Sequence, residues 1–295
     1  MQYGIPPPGY RLPSDTRLGA GRLLVSDLER SLDYYQQVIG LRVLSRERSS
    51  VALGPLGGDT PLIHLETRPG TKAPPRGGRF GLYHFALLLP DRVSLGRFVR
   101  HLGEVGAHVA SADHAVSEAL YLWDPDGLGI EVYADRPREA WRLRGQEIFM
   151  TTERLNLQGL LAAAGSEPWT GMPHGTTLGH MHLQISDLET VEAFYHSALG
   201  FDKIVWNFPG ALFLSAGGYH HHLGTNTWSS GPSPSSDQAQ LLEWELIVPL
   251  EDDVAAAGRS LQSAGYASER PEYGVTAADP WGTRVHIRTK SGVGL

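Results

Sequence analysis

Residues 18–41 read LGAGRLLVSDLERSLDYYQQVIGL, and residues 178–201 read LGHMHLQISDLETVEAFYHSALGF. Laid one on the other, the two stretches share Leu18, Gly19, Leu23, Ser26, Asp27, Leu28, Glu29, Tyr35 and Gly40 with identical partners 160 positions on. Coincidence does not give that, so the chain carries an internal repeat. Each copy reads as an apolar strand, an Asp N-cap and an amphipathic helix with an aromatic pair near its end, stopped by Gly.

A weaker repeat lies inside each half. GLYHFALLLP (81–90) is a strand leading into a helix from Ser94 to Gly106, and LLEWELIVP (241–249) leads into a helix ending at Gly265. Setting Pro90 on Pro249 also sets Gly106 on Gly265. Each half closes with a tight Asp-Pro-X-Gly turn and a strand, DPDGLGIEVY (124–133) and DPWGTRVHIR (279–288). The reading is therefore α+β: four strand–helix–strands modules in two tandem domains, 15–137 and 177–292. Residues 138–176 form a linker with a short helix in ERLNLQGLLAAAG, and SSGPSPSSDQ (229–238) reads as an exposed loop.

Composition narrows the chemistry. With 41% hydrophobic and 19% charged residues the chain is an ordinary globular one. A net charge of −7 argues against nucleic acid or an anionic membrane as partner, since both require clustered Lys and Arg. There is no cysteine, which removes thiolate zinc sites, iron–sulfur clusters and cysteine nucleophiles and fits a cytoplasmic location. Met1 to Pro13 is proline-rich without an apolar core, and no stretch is long and apolar enough to span a membrane. Any metal must be held by carboxylates and some of the 13 histidines.

Four βαβββ modules with Ser-Asp-Leu-Glu helix starts and closing DPxG strands resemble the vicinal oxygen chelate superfamily, which holds glyoxalase I, bleomycin-resistance proteins and extradiol ring-cleaving dioxygenases. The resemblance covers nearly the whole chain outside the N-terminal tail and the linker. It implies metal ligands near the start of a module's first strand and on its last strand. Those positions hold Ala20, His84, His180 and Glu243 on first strands, and Glu131 and His286 on last strands. Modules two and three alone give two histidines and a carboxylate, His84, Glu131 and His180, a set suited to non-haem Fe(II). Modules one and four would offer only Ala20, Glu243 and His286, a vestigial cup.

Within the superfamily the chain looks most like two-domain catechol 2,3-dioxygenases. That resemblance implies an acid–base histidine, matched best by His221, with His220 and His222 within register error. It implies a Tyr ten residues before the carboxylate ligand, which is Tyr121, and a His shortly before it. His114 stands there, two residues closer than in many relatives. Trp123, Trp206, Phe208 and Trp228 fit either an aromatic-binding cup or core packing.

The implied reaction is extradiol cleavage of a catechol-like aromatic by O2, using Fe(II), with Mn(II) as the alternative ion. His221 would accept a phenolic proton and later return one, Tyr121 would bond a substrate oxygen, and His114 would hold Tyr121. The alternatives are a hydroquinone-cleaving dioxygenase, a glyoxalase-type lyase or isomerase with four protein ligands, and a non-catalytic resistance-type binding protein. Oligomeric state stays open, a homo-oligomer included. One structural expectation follows from the ligands. Short connections favour pairing of sequence neighbours, but that would part His180 from His84 and Glu131. The ligand pattern instead predicts that module two pairs with three, and one with four.

Overall fold

A computed structural model describes residues 3–74, 78–271 and 273–290; residues 291 and 292, at the expected end of the second domain, lie outside them, as do Met1 and Gln2 of the tail. Module one comprises β1 (Arg17–Leu24), α1 (Leu28–Tyr34), β2 (Arg42–Arg46), β3 (Ser50–Gly54) and β4 (Ile63–Glu66). Module two comprises β5 (Gly81–Leu88), α2 (Arg92–Glu104), β6 (Ala110–Asp113), β7 (Ser117–Trp123) and β8 (Gly129–Asp135). The linker carries the short strands β9 (Leu143–Arg144) and β10 (Glu147–Ile148) and the helix α3 (Leu157–Ala163). Module three follows as β11 (Thr177–Gln184), α4 (Leu188–Val191), β12 (Asp202–Val205), β13 (Ala211–Ser215) and β14 (Leu223–Asn226). Module four is β15 (Gln240–Val248), α5 (Glu251–Ser263), β16 (Ser268–Glu269), β17 (Val275–Ala278) and β18 (Arg284–Thr289).

The helix starts rest on local chemistry. Asp27, Asp91 and Asp187 cap α1, α2 and α4, each accepting a hydrogen bond from the backbone N–H three residues on. Beyond α1 and α4 the chain widens into π turns, Tyr35–Ile39 and Glu192–Ala198, which the helical reading did not separate from the helix. Gly40 ends the first of these at φ 85°, a left-handed conformation that glycine adopts without penalty.

The modules pair across the halves. One eight-stranded sheet runs β16-β17-β18-β15-β1-β4-β3-β2, joining modules four and one; the other runs β12-β13-β14-β11-β5-β8-β7-β6, joining three and two. The seams are antiparallel, β1 against β15 and β5 against β11. The pairing is therefore the one the ligand pattern requires, not the one that short connections favour. Both sheets bury their facing sides in one continuous apolar core, with Trp244, Tyr35, Tyr195, Phe85 and Phe194 among its largest fully buried side chains.

Sequence-adjacent modules are tied by a different contact. Tyr35, in module one, donates its hydroxyl to Asp124 Oδ2 at 3.3 Å, in the turn that opens β8 of module two. The repeat-equivalent Tyr195 donates to Asp279 Oδ2 at 2.8 Å, in the turn that opens β18 of module four. Asp124 Oδ1 also accepts from the backbone of Asp126 and Leu128, and Asp279 Oδ1 from Trp281 and Thr283. Each module is thus held twice, by a sheet seam to a module of the other half and by a buried Tyr–Asp bond to its neighbour in the same half.

Burial pushes the Asp124 carboxyl up to about 7 and that of Asp279 up to about 6, against backbone donors that lower both. A carboxyl with a raised folded-state pKa keeps its proton after the unfolded chain, titrating near 4, has lost its own. Its contribution to stability is full below about pH 4 and is lost as pH rises towards the folded value. Asp124→Asn, whose amide oxygen can still accept the turn's N–H groups, removes that titration. The stability of wild type relative to Asp124→Asn, from thermal melts, is expected to fall between about pH 4 and about pH 7; a pH-independent difference would contradict the assignment.

Candidate metal centre and its pocket

The β5–β11 seam and the β5–β8 pair assemble the site. Across the seam, His182 stands opposite His84 and His180 opposite Ala86. On the other side of β5, Ala86 stands beside Glu131, and Glu131 in turn faces Tyr121 on β7. Residues paired across strands share a face, as do residues two apart along a strand. His84, His180, His182, Glu131 and Tyr121 therefore project together, around an alanine small enough to leave room at the centre.

His84, Glu131 and His180 offer one ligand atom each, all within 4.8 Å of one another, and all three side chains are buried. His84 Nε2 lies 3.0 Å and His180 Nε2 3.2 Å from the same oxygen, Glu131 Oε2. His84 Nε2 is close but poorly aligned, and it makes no hydrogen bond. Burial alone would raise the Glu131 carboxyl, but the His180 and His84 imidazoles beside it hold it well below the usual carboxylate range. Burial takes His180 down to about 4, which leaves it neutral and able to offer a lone pair. Two imidazole nitrogens and an anionic oxygen converging on one buried point, one of them with no hydrogen bond, is the donor set of a divalent first-row cation. Among the described residues the cluster closes at three: His221 is outside it, although its ring packs 4.1 Å from that of His180.

The other expected residues fall around this point. His114 Nδ1 donates to the Thr151 carbonyl at 2.7 Å, so its Nε2 accepts from the Tyr121 hydroxyl at 2.6 Å. Ala115, the one non-glycine residue with positive φ (67°) among those described, follows His114 directly and makes the tight β6–β7 turn that aims it at Tyr121. Burial, with the Glu131 charge behind it, holds the Tyr121 phenol well above 10, so it stays a donor.

The His220–His222 triplet separates by partner. His222 Nδ1 is 3.2 Å from both Ser215 Oγ and the Ala216 N–H. His220 Nε2 donates to Asp135 Oδ1 at 2.9 Å, and its Nδ1 sits 2.8 Å from His221 Nδ1. One of these two nitrogens must donate to the other, and an Nδ1–H on His221 leaves its Nε2 as a bare lone pair. Of the three, His221 alone lines the cavity over the metal cluster. Burial, reinforced by the surrounding imidazoles, holds it well below 6.5. The tail that the sequence left unpatterned braces this loop, with Tyr3 donating to the Gly218 carbonyl.

The cavity has a volume of about 240 Å³. Trp123, Phe208 and Trp228 line it; Trp206 does not, and packs against the main core instead. Sequence reasoning missed His182, Tyr83 and Phe213, which also line it. His182 was legible in principle, since it stands two residues from His180 on the same strand face. Asn226 Nδ2 donates to His182 Nε2 at 2.9 Å, while its Oδ1 accepts from the Trp228 N–H.

The cup of modules one and four is built differently. Where the metal cup has Ala86 beside Glu131, this cup has Glu245 beside His286. Glu245 is fully buried, takes a bidentate pair from Arg288 at 2.7 and 2.8 Å, and accepts the Ala20 N–H at 2.8 Å. Glu243 is paired with Arg284 at 3.1 Å, and His286 Nδ1 lies 2.8 Å from Thr276 Oγ1. Ala20, Glu243 and His286 thus form no cluster among the described residues, and a guanidinium occupies the centre.

The chain matches the family described as Glyoxalase/Bleomycin resistance protein/Dioxygenase superfamily over residues 17–132 and again over 177–293. It is 44% identical over 271 residues to the catechol-2,3-dioxygenase of Bacillus subtilis (strain 168), covering 90% of this chain and 94% of that one. Among solved structures, a Bacillus subtilis subsp. subtilis str. 168 chain superposes with a TM-score of 0.66 at 13% identity, covering 96% of this chain and 87% of that one. Glyoxalase I from Zea mays superposes with a TM-score of 0.56 at 18% identity, covering 93% and 92%. Those two likenesses concern the fold. With both halves matched and a relative this similar along its length, the chain belongs to the glyoxalase/bleomycin resistance protein/dioxygenase superfamily.

Proposed function

We propose that this protein is an Fe(II)-dependent extradiol dioxygenase that opens the ring of a catechol next to its diol. The observation that carries the reading is the cluster of His84, Glu131 and His180, closed at three donors, two of which, His84 and Glu131, line an apolar cavity. A glyoxalase-type centre would need a fourth protein ligand, and a resistance-type binder would have no need of this donor set. The similarity to a catechol-2,3-dioxygenase over nearly the full length supports the same choice. When bound, Fe(II) supplies the oxygen chemistry and acidifies the diol, with Mn(II) the alternative ion.

The chain's own residues manage geometry and protons. The His221 Nε2 lone pair is the acceptor for a phenolic proton, and the protonated ring is the donor that returns it when the ring opens. Asp135 and His220 are positioning residues: the carboxylate fixes the His220 proton on Nε2, and His220 Nδ1 then fixes the His221 proton on Nδ1. Tyr121, whose hydroxyl proton is held by His114, offers its phenol oxygen as acceptor to a substrate hydroxyl. The apolar walls keep bulk water from the opened ring.

Anaerobic loading with Fe(II), followed by oxygen uptake and product spectra with catechol, tests the reading. One O2 consumed per ring-cleaved semialdehyde is expected. Turnover of the methylglyoxal–glutathione hemithioacetal without O2 uptake would overturn it in favour of the isomerase.

His221→Ala should keep its metal content and lose about 10²–10⁴-fold in kcat, with a milder loss for Tyr121→Phe; near-normal turnover of His221→Ala would remove the role assigned to it. His220→Phe should lose roughly tenfold or more in kcat with KM little changed. In the His221→Ala background the same substitution should cost almost nothing, because it acts through His221. Fully additive losses would show that His220 acts independently.

A further inference from the structure

The cavity over the metal cluster holds histidines, one carboxylate, small polar groups and apolar side chains; among the described residues lining it there is no Lys or Arg. An adjoining cavity of about 340 Å³, which shares Met150, Thr151, Thr152 and Phe208 with it, is lined by Arg144. There the guanidinium lies 4.8 Å over the Phe149 ring, and Glu147 and Glu153 line the same space. A carboxylate on a bound ring would face apolar side chains and meet no Lys or Arg among the described lining residues, which is costly. The net charge of −7 further disfavours its approach.

The apolar side chains are arranged as a path. From His221 the rings step outward: Phe213 at 5.0 Å, Phe208 at 5.6 Å from Phe213, and Trp228 at 6.2 Å from Phe208. Tyr83 lies 6.0 Å from Trp228 and 5.1 Å from His84. A diol ring at the metal cluster reaches His221 and Phe213. Phe208 stands one ring further out, in contact with Phe213 and Trp228, and a ring substituent is needed to reach it. Trp228 keeps 49% of its surface exposed although its ring nitrogen is tied to the Pro209 carbonyl at 2.8 Å. An exposed indole held in place by its own polar end is a preformed apolar contact surface.

Resting on the ring-cleaving reading above, we propose that the substrate is a neutral catechol bearing an apolar alkyl or aryl substituent, that Phe208 and Trp228 hold this substituent, and that carboxylate-bearing catechols are rejected.

The test compares 4-ethylcatechol, catechol and 3,4-dihydroxyphenylacetate on the Fe(II)-loaded protein; the first and last differ only in a methyl against a carboxylate. For kcat/KM, 4-ethylcatechol should exceed catechol by about tenfold, the worth of burying two carbons, and 3,4-dihydroxyphenylacetate by about 100-fold or more. Anaerobic addition of 4-ethylcatechol should also quench tryptophan emission, and Trp228→Phe should remove most of that quench. Trp228→Ala should lower the 4-ethylcatechol-to-catechol ratio about fivefold. If none of the three diols is cleaved, the ring-cleaving reading itself fails. If catechol is cleaved but 3,4-dihydroxyphenylacetate matches 4-ethylcatechol, the substrate proposal alone is overturned. An unchanged ratio in Trp228→Ala overturns the placing of the substituent.

Discussion

The antiparallel seam between β5 and β11 is the contact on which the rest of the molecule depends. It joins a strand from each half of the chain and sets His180 opposite Ala86 and His182 opposite His84. A slip of one residue would turn every one of these side chains to the other face of the sheet. Irregularities on either side of the paired stretch, between Leu178 and His180 and between His182 and Leu183, bound the register there. The carboxylate then comes to the centre from β8, which lies parallel to β5 on its far side. No half of the chain contains all three donors.

The two cups show how one scaffold gives two outcomes. Both have the same strand order, and both open their last strand with an Asp-Pro-X-Gly turn anchored by a buried tyrosine. The difference at the centre is the residue beside the last-strand ligand position. Alanine leaves a space that converging donors can share, whereas Glu245 fills it and brings Arg288 as its own cation. A buried carboxylate must be matched by positive charge. In one cup the proposed match is a metal, and in the other it is a guanidinium.

Much of this was legible in the residues because the repeat supplied its own alignment. Asp27, Asp91 and Asp187 marked the helix starts, and the equivalent positions of His84 and His180 marked the candidate ligands that the structure brings together with Glu131. The pairing of modules was legible only through chemistry, since chain connectivity pointed the other way. What escaped has physical reasons too. His182 and Phe213 carry no motif, and become pocket residues only because strand alternation and the β13–β14 pairing turn them inward. The π turns arise after ordinary helix-forming sequence. The proline-rich tail has no periodicity, because it binds the third module through backbone groups and single side chains such as Tyr3 and Arg11. The order within the His220–His222 triplet depends on which ring meets Asp135, a partner 85 residues away.

The most direct measurement is an anomalous difference map at the iron edge, from crystals of the full chain grown anaerobically with Fe(II). The account predicts one peak, with His84 Nε2, His180 Nε2 and a Glu131 oxygen about 2.0–2.3 Å away and no other protein ligand. A peak coordinated also by His221, or one seated between Glu243 and His286, would contradict it.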